Sequence, residues 1–180
     1  IQANGLSELI GFANISAYLK HHGHQVDLLL LSHSKDCYKE IEEFKPDLIG
    51  LSAFTGMHKS VFRTAAKMKK RLGIPVIIGG PHPTFYPDEC FDECRDLDML
   101  CRGDGEETLL KLVNSMRDNM DHRNIPGLWI HQGSAVIKNS ISPLIKDVNS
   151  LPLPDRDIYF RFSFLRDFPM KRFISGYGCP

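Results

Sequence analysis

Apolar residues recur along the chain in two alternating rhythms. Over residues 6–22 they fall at helical spacing. Phe12, Ile15 and Leu19 mark one face, and Leu6, Leu9, Ile10 and Ala13 widen it. Ser7 is placed to cap this helix, and Gly23 to end it. Residues 25–31 form a short apolar run between polar residues, the pattern of a buried parallel strand. The pair of patterns then repeats. Residues 37–44 read as a short helix stopped at Lys45-Pro46, and residues 48–52 as a second buried strand. Val61, Ala65, Met68 and Leu72 set a helix over 59–72, ended by Gly73. Residues 75–78 give a third strand, closed by Gly79-Gly80-Pro81. Residues 97–101 give a fourth, weaker strand. Leu109, Leu112, Val113, Met116 and Met120 then place a helix over 106–120.

This alternation predicts an α/β fold, a flavodoxin-like (Rossmann-like) doubly wound parallel sheet. Strand–crossover–strand units are right-handed, which leaves few topologies. The first element is a helix, so a strand is expected ahead of it. In the strand order 2-1-3-4-5 that strand is central. The structure should then show a strand ending at Ile1-Gln2, or a gap in mid-sheet. After Met120 the rhythm changes. Residues 127–131 and 135–138 flank Gln132-Gly133-Ser134, a β-hairpin signal. Residues 150–157 hold two prolines and no periodicity, and read as a linker. The expected division is an α/β domain at 1–124, a hairpin extension at 125–149 and a linker at 150–170, with residues 171–180 opening a second domain.

Lys+Arg and Asp+Glu both number 22, so the formal charge is zero and no electrostatic footprint for nucleic acid exists. No apolar run approaches the roughly 20 residues of a membrane helix, and no signal peptide is visible. Five cysteines, an odd number, speak against a disulfide framework and for a reducing, cytoplasmic setting. The absence of an initiating Met and the abrupt glycine-rich end read as an excised piece of a longer protein.

In an open parallel sheet, ligands bind at the carboxyl ends of the strands. Three such ends are rich in small residues: Ser52-Ala53-Phe54-Thr55-Gly56, Gly79-Gly80-Pro81-His82-Pro83-Thr84, and Arg102-Gly103-Asp104-Gly105-Glu106-Glu107. Glycines admit a ligand close to the backbone, hydroxyls orient it, and a helix start favours a negative group. The competing reading is three tight turns. Neither Gly-x-x-x-x-Gly-Lys-Ser/Thr nor Gly-x-Gly-x-x-Gly after a strand occurs, which weakens a nucleotide-binding reading.

The spacing Ser52-x-Phe54 followed by Gly79-Gly80 resembles the Ser-x-Leu…Gly-Gly pattern of cobalamin-binding domains. With Arg102-Gly103-Asp104-Gly105-Glu106-Glu107-Thr108, the chain resembles the cobalamin-binding half of radical S-adenosylmethionine enzymes. Leu151-Pro152-Leu153-Pro154-Asp155-Arg156 is similar to that family's linker. Phe173-Ile174-Ser175-Gly176-Tyr177-Gly178-Cys179-Pro180 is similar to the first barrel strand. The resemblance implies cobalamin held by Ser52, Ala53, Phe54, Thr55, Gly79, Gly80, Pro81, His82, Gly103, Asp104, Gly105 and Glu106. It implies that residues 171–180 start a truncated barrel and that Cys179 is the first ligand of a 4Fe-4S cluster. It also implies methyl transfer or ring-forming chemistry in an intact protein that binds S-adenosylmethionine. Two departures matter. No Asp-x-His-x-x-Gly motif is present, so cobalamin would be held with no histidine on cobalt, or not held at all. Cys179 alone cannot hold a cluster, so this chain by itself would be a binding module without activity. The rival reading is a cofactor-free α/β interaction or substrate-recognition domain. The two are told apart by whether the edge above Ser52, Gly79 and Gly103 is open or filled.

Other residues suggest sites. Cys90, Cys94 and Cys101 fit no zinc spacing well. His82 stands on the ligand edge, where it could touch the cofactor or brace a turn. His58 is expected to face solvent and Trp129 to anchor the hairpin. Asp104, Glu106 and Glu107 are expected to cap the following helix. The Lys67, Lys69, Lys70 and Arg71 run is expected on a solvated face.

Overall fold

In the computed structural model, which describes residues 1–3, 5 and 7–173, five strands form one sheet. They are β1 (Ile49–Ser52), β2 (Val76–Gly79), β3 (Met99–Cys101), β4 (Leu128–Gln132) and β5 (Ala135–Lys138), in that spatial order. β1–β2 and β2–β3 run parallel, whereas β3–β4 and β4–β5 run antiparallel. The expected all-parallel sheet is therefore corrected to a mixed one. The predicted hairpin is present, and it extends the same sheet. Leu128, Trp129 and Ile130 are buried, and their pairing covers the edge of β3, which would otherwise expose unpaired backbone groups.

At the other side, Ile1-Gln2 takes the predicted central position. The Gln2 N–H donates to Leu29 O at 2.9 Å, and the Leu31 N–H donates to Gln2 O at 3.0 Å. The Ile1 nitrogen donates to Gly50 O at 2.5 Å. Gln2 thus lies between residues 29–31 and β1, as the order 2-1-3-4-5 requires. Residues 25–31 are not a full strand. Only Leu30 bridges, in parallel with Gln2.

The helices are α1 (Ile10–His21), α2 (Cys37–Phe44), α3 (His58–Leu72), α4 (Pro81–Phe85), α5 (Pro87–Glu93), α6 (Gly105–Arg117), α7 (Asp157–Phe160) and α8 (Ser163–Arg166). α1 starts later than the periodicity predicts, and Leu9, not Ser7, is its N-cap. Tertiary bonds hold Glu8 and Leu9 outside the helix: Arg156 pairs with Glu8, and Tyr159 accepts from the Leu9 N–H. Gly23 follows the C-cap with φ +84°, as expected. α4 and α5 were not predicted. Pro81 and Pro87 each occupy the first turn, where a missing N–H costs nothing.

Helices cover both faces of the sheet. On one, Leu51, Val76, Ile78 and Leu100 pack against Ile41 of α2, Val61, Phe62 and Met68 of α3, and Phe91 of α5. On the other, Ile77, Met99, Cys101 and Leu128 pack around Leu112 of α6. α1 lies beside α6. Ala13, Leu28 and Leu30 form a third cluster with Ile158, Tyr159 and Leu165. Residues 151–156 have no helix or strand, but α7 and α8 fall within the segment 150–170 expected as a linker, and Asp155 bonds to α1. No barrel strand occurs among the described residues. The predicted barrel start falls on irregular residues 171–173 and otherwise outside them. Among the described residues no helix is long and apolar enough to cross a membrane.

Candidate functional site

Ser52 and Gly79 are register partners, so β1 and β2 end side by side. The two loops then interlock: the Ala53 N–H donates to Gly79 O at 2.9 Å, and the His82 N–H to Ala53 O at 3.0 Å. Gly80 sits at the crossing with φ +100°. A Cβ there would lie 2.6 Å from Ser52 Oγ and 2.9 Å from Ala53 O. Only glycine satisfies both the conformation and the approach. Gly79 is a different case. Its Cβ would meet Cys101 Cβ at 3.6 Å, an ordinary contact. The backbone tolerates a side chain at 79, and leaving it out keeps space clear.

That space belongs to a cleft of about 1290 Å³ on the α1/α6 side of the sheet. Gly50, Ile77 and Gly79 make its floor. Ser52, Phe54, Gly80 and Pro81 line one rim, and Gly103, Asp104, Gly105 and Glu106 another. Ile10, Gly11, Asn14 and Ile15 of α1 form the facing wall. A lower limb continues along residues 25–29 and 45–48 toward the amino end of β1, and the upper limb lies at the carboxyl ends of β1 and β2. Gly105 sets the distance between the two helices, since a Cβ there would stand 2.9 Å from Ile15 Cδ1. Ile141 closes over Gly103 from the side.

Asp104 is the N-cap of α6, but its side chain makes no capping bond, which corrects the expected cap. Burial raises its carboxyl above the usual range. Glu106 and Glu107 occupy the first turn, where negative charge is favoured. Tyr18 donates to Glu107 Oε1 at 2.5 Å and holds that carboxyl low. Burial, then this carboxylate, pushes Tyr18 up to about 12.

Nine of the twelve residues expected at the cofactor line the cleft, and Ala53, Thr55 and His82 do not. Ala53 is wholly buried in the α3 core. His82 is 3% exposed and stacks on His58, with centroids 3.9 Å apart and planes at 12°. Its Nδ1 lies 3.2 Å from Thr55 Oγ1. Burial, then His58, lowers its pKa, so the imidazole is neutral at pH 7. His58 was expected in solvent, but its side chain is only 15% exposed because His82 covers one ring face. Cys179 lies outside the described residues.

Cys90 and Cys94 are buried in one core layer and Cys101 in the other, across the sheet. Among the described residues no group of three or more His, Cys, Asp or Glu is arranged to hold a metal ion. Trp129 anchors the hairpin as expected: it is 6% exposed, and its Nε1–H donates to Asn139 O at 2.9 Å. The start of α1 was missed as a wall. The signal was present, because a helix that follows a strand ending at Gln2 begins on the ligand edge.

Residues 2–113 match the B12 binding domain family. The chain is 32% identical over 148 residues to an uncharacterised methyltransferase of Pyrococcus horikoshii, covering 81% of this chain and 32% of that protein. It is 27% identical over 150 residues to an anaerobic magnesium-protoporphyrin IX monomethyl ester cyclase of Cereibacter sphaeroides, covering 79% of this chain and 24% of that protein. The chain thus spans a third or less of the length of these relatives. Among solved structures, the cobalamin-dependent S-adenosylmethionine radical enzyme OxsB, with aqua-cobalamin and S-adenosylmethionine bound, superposes with a TM-score of 0.71 at 21% identity. That match covers 87% of this chain and 23% of OxsB. The radical S-adenosylmethionine methyltransferase TsrM from Kitasatospora setae, with cobalamin and a [4Fe-4S] cluster bound, gives 0.63 at 18% identity, over 85% of this chain and 30% of TsrM. At these identities the structural likeness speaks for the fold. The family match runs from Gln2 at the centre of the sheet to Val113 on α6 and includes both rims and the α1 wall; the chain belongs to the B12-binding domain family and carries a cobalamin-binding domain like those of cobalamin-dependent radical S-adenosylmethionine enzymes.

Proposed function

We propose that this domain seats cobalamin across the carboxyl ends of β1–β3, with the nucleotide tail in the upper limb of the cleft and no histidine on cobalt. The observation that carries this reading is the pair of glycines in the floor, one on either side of Ile77. Gly50 and Gly79 face the cleft, and Gly80 lets the Ser52 loop cross beside them. A buried, narrow tail fits such a groove. Ser52 would orient the tail with a hydroxyl, while Phe54 and Pro81 offer apolar surface to the macrocycle. Bound cobalamin would supply a cobalt centre able to carry a methyl group. Three placements support the absence of a histidine ligand. His82 and His58 are stacked on each other away from the cleft. The one histidine among the described cleft residues, His24, lies at the lower end, with its Nε2 2.9 Å from Asn114 Oδ1.

In a longer protein the domain would serve a radical S-adenosylmethionine centre in methyl transfer or ring-forming chemistry. Cys179 would be the first ligand of the 4Fe-4S cluster and the barrel of the same chain its partner. The names of the relatives support this placement. The free thiols at Cys37, Cys90, Cys94 and Cys101 suit a reducing cytoplasm. The test is to add hydroxocobalamin anaerobically, desalt, and record the visible spectrum. About one retained equivalent, with bands of cobalt free of imidazole, is expected. No retained corrin would refute the reading in favour of a cofactor-free interaction domain.

A further inference from the structure

The segment that reads as a linker grips the outer side of the helix that walls the cleft. α1 presents Gly11, Asn14 and Ile15 to the cleft and Ala13, Ser16 and Lys20 to the opposite side. On that opposite side Asp155 makes three bonds. Its N–H donates to Ala13 O at 3.0 Å, and its Oδ2 accepts from Ser16 Oγ and Lys20 Nζ, each at 2.6 Å. One residue on, Arg156 pairs with Glu8 at 2.8 Å. Tyr159 is fully buried. Its hydroxyl donates to Gln2 Oε1 at 2.8 Å and accepts from the Leu9 N–H at 3.1 Å. Arg161 then reaches Asp27 at 2.5 Å and the Leu28 carbonyl.

The first turn of α1 has little strength of its own. It has no side-chain cap bond, no acidic residue, and a glycine at its second position. Its N-cap amide is satisfied from 150 residues away, by Tyr159. This same turn forms the cleft wall at Ile10 and Gly11, and Ile158 and Arg161 of the strap also line the cleft.

We propose that residues 155–161 are a clamp that fixes the α1 wall of the cobalamin cleft. Tyr159 is its positioning residue, and seating of the clamp is coupled to occupancy of the cleft. This rests on the cobalamin reading above. Coupling is reciprocal, so cobalamin tightens the clamp as much as the clamp tightens cobalamin. Whatever continues the chain beyond the clamp would then sense whether the cleft is filled.

The test uses the whole chain with Tyr159→Phe, which keeps the ring and removes the hydroxyl. Three results are expected. Amide exchange at residues 9–13 accelerates in the absence of cobalamin. Affinity for hydroxocobalamin falls roughly threefold to tenfold, the range of one buried hydrogen bond. In the wild type, hydroxocobalamin slows exchange at residues 156–161. Met68→Ala, in the α3 core on the other sheet face, is the control. It should lower the melting temperature without moving affinity or the circular dichroism of the bound corrin. Unchanged exchange at 9–13 in Tyr159→Phe overturns the clamp. Unchanged affinity together with unprotected 156–161 overturns the coupling. A wild type that retains no cobalamin overturns it through the cofactor reading, and the exchange at 9–13 then still judges the clamp separately.

Discussion

Replacing Gly79 should separate stability from binding, with opposite signs. Its φ is not in the left-handed region, and a Cβ would meet only Cys101 Cβ at 3.6 Å and Cys101 O at 3.7 Å. Gly79→Ala therefore adds no strain. It removes the entropic cost of a strand glycine, and a gain of about 0.5 kcal/mol follows. In a domain of this size that raises the melting temperature by roughly 1–2 °C. The same methyl enters the cleft floor. Forcing a group into a fitted contact costs about 1–3 kcal/mol, which is roughly a 5- to 150-fold loss of affinity. Gly79→Leu carries three further carbons into the groove and should abolish retention of hydroxocobalamin while the domain stays folded. Spectral titration and retention on desalting read binding, and far-ultraviolet circular dichroism reads the melt. Retention by Gly79→Leu equal to that of the wild type would show that nothing binds over this floor. A fall in melting temperature for Gly79→Ala would show that the glycine serves the fold instead.

Gly80→Ala should behave in the contrary way. With φ +100° and Ala53 O at 2.9 Å from the added carbon, it should lose about 1–3 kcal/mol of stability; a melting temperature within a degree of wild type refutes the strain. Asp155→Asn should lower stability at neutral pH by about 1 kcal/mol, or roughly 2–4 °C. Burial alone would raise the Asp155 carboxyl, but Lys20 and Ser16 outweigh it and hold it below the usual range. Its contribution is therefore complete above the unfolded value near about pH 4 and disappears as pH falls through the lower folded value. The difference between wild type and Asp155→Asn should close below about pH 4, and a gap that stays constant to pH 3 refutes the assignment to this group.

Periodicity located β1, β2, β3 and the long helices because each is buried on a face wide enough to show it, while residues 25–31, read as a strand, form only the bridge at Leu30. β1, β2 and α3 begin within a residue of their expected positions, and α2 matches at both ends. What periodicity could not show was where tertiary bonds override local preference. α1 begins at Ile10 because Glu8 and Leu9 are held by Arg156 and Tyr159, some 150 residues later. The hairpin was legible as a hairpin. That it would close the edge of β3 depends on Trp129 and Ile130 being buried there, which is a sheet property and not a local one. At the site, the glycine turns were legible through the rule for strand ends. For His82, after Gly-Gly-Pro, local sequence leaves cofactor contact and a turn role both open; the structure decides it, because α4 begins at Pro81 and the imidazole is buried against His58.

The fold could stand without the cleft, and that is why the cleft is informative. β1 and β2 alternate strictly. Ile49, Leu51, Val76 and Ile78 fill the α3 face, while the other face carries Gly50, Ser52, Ile77 and Gly79. Neither Gly50 nor Gly79 adopts a left-handed φ. An added Cβ would come no closer than 3.9 Å at Gly50 and 3.6 Å at Gly79. Each strand glycine costs about 0.5–1 kcal/mol relative to alanine and forgoes the burial a larger side chain would give. Filling both positions would strengthen the centre of the sheet by the ordinary rules of packing, and nothing in the backbone forbids it. Local choices that weaken a fold without a geometric reason mark functional ground. Here they occur side by side on one face, beneath the rim formed by Ser52 and Gly80, where an open α/β sheet takes its ligand. An interaction domain that had lost its cofactor would have no physical reason to keep both Gly50 and Gly79 without side chains on that face.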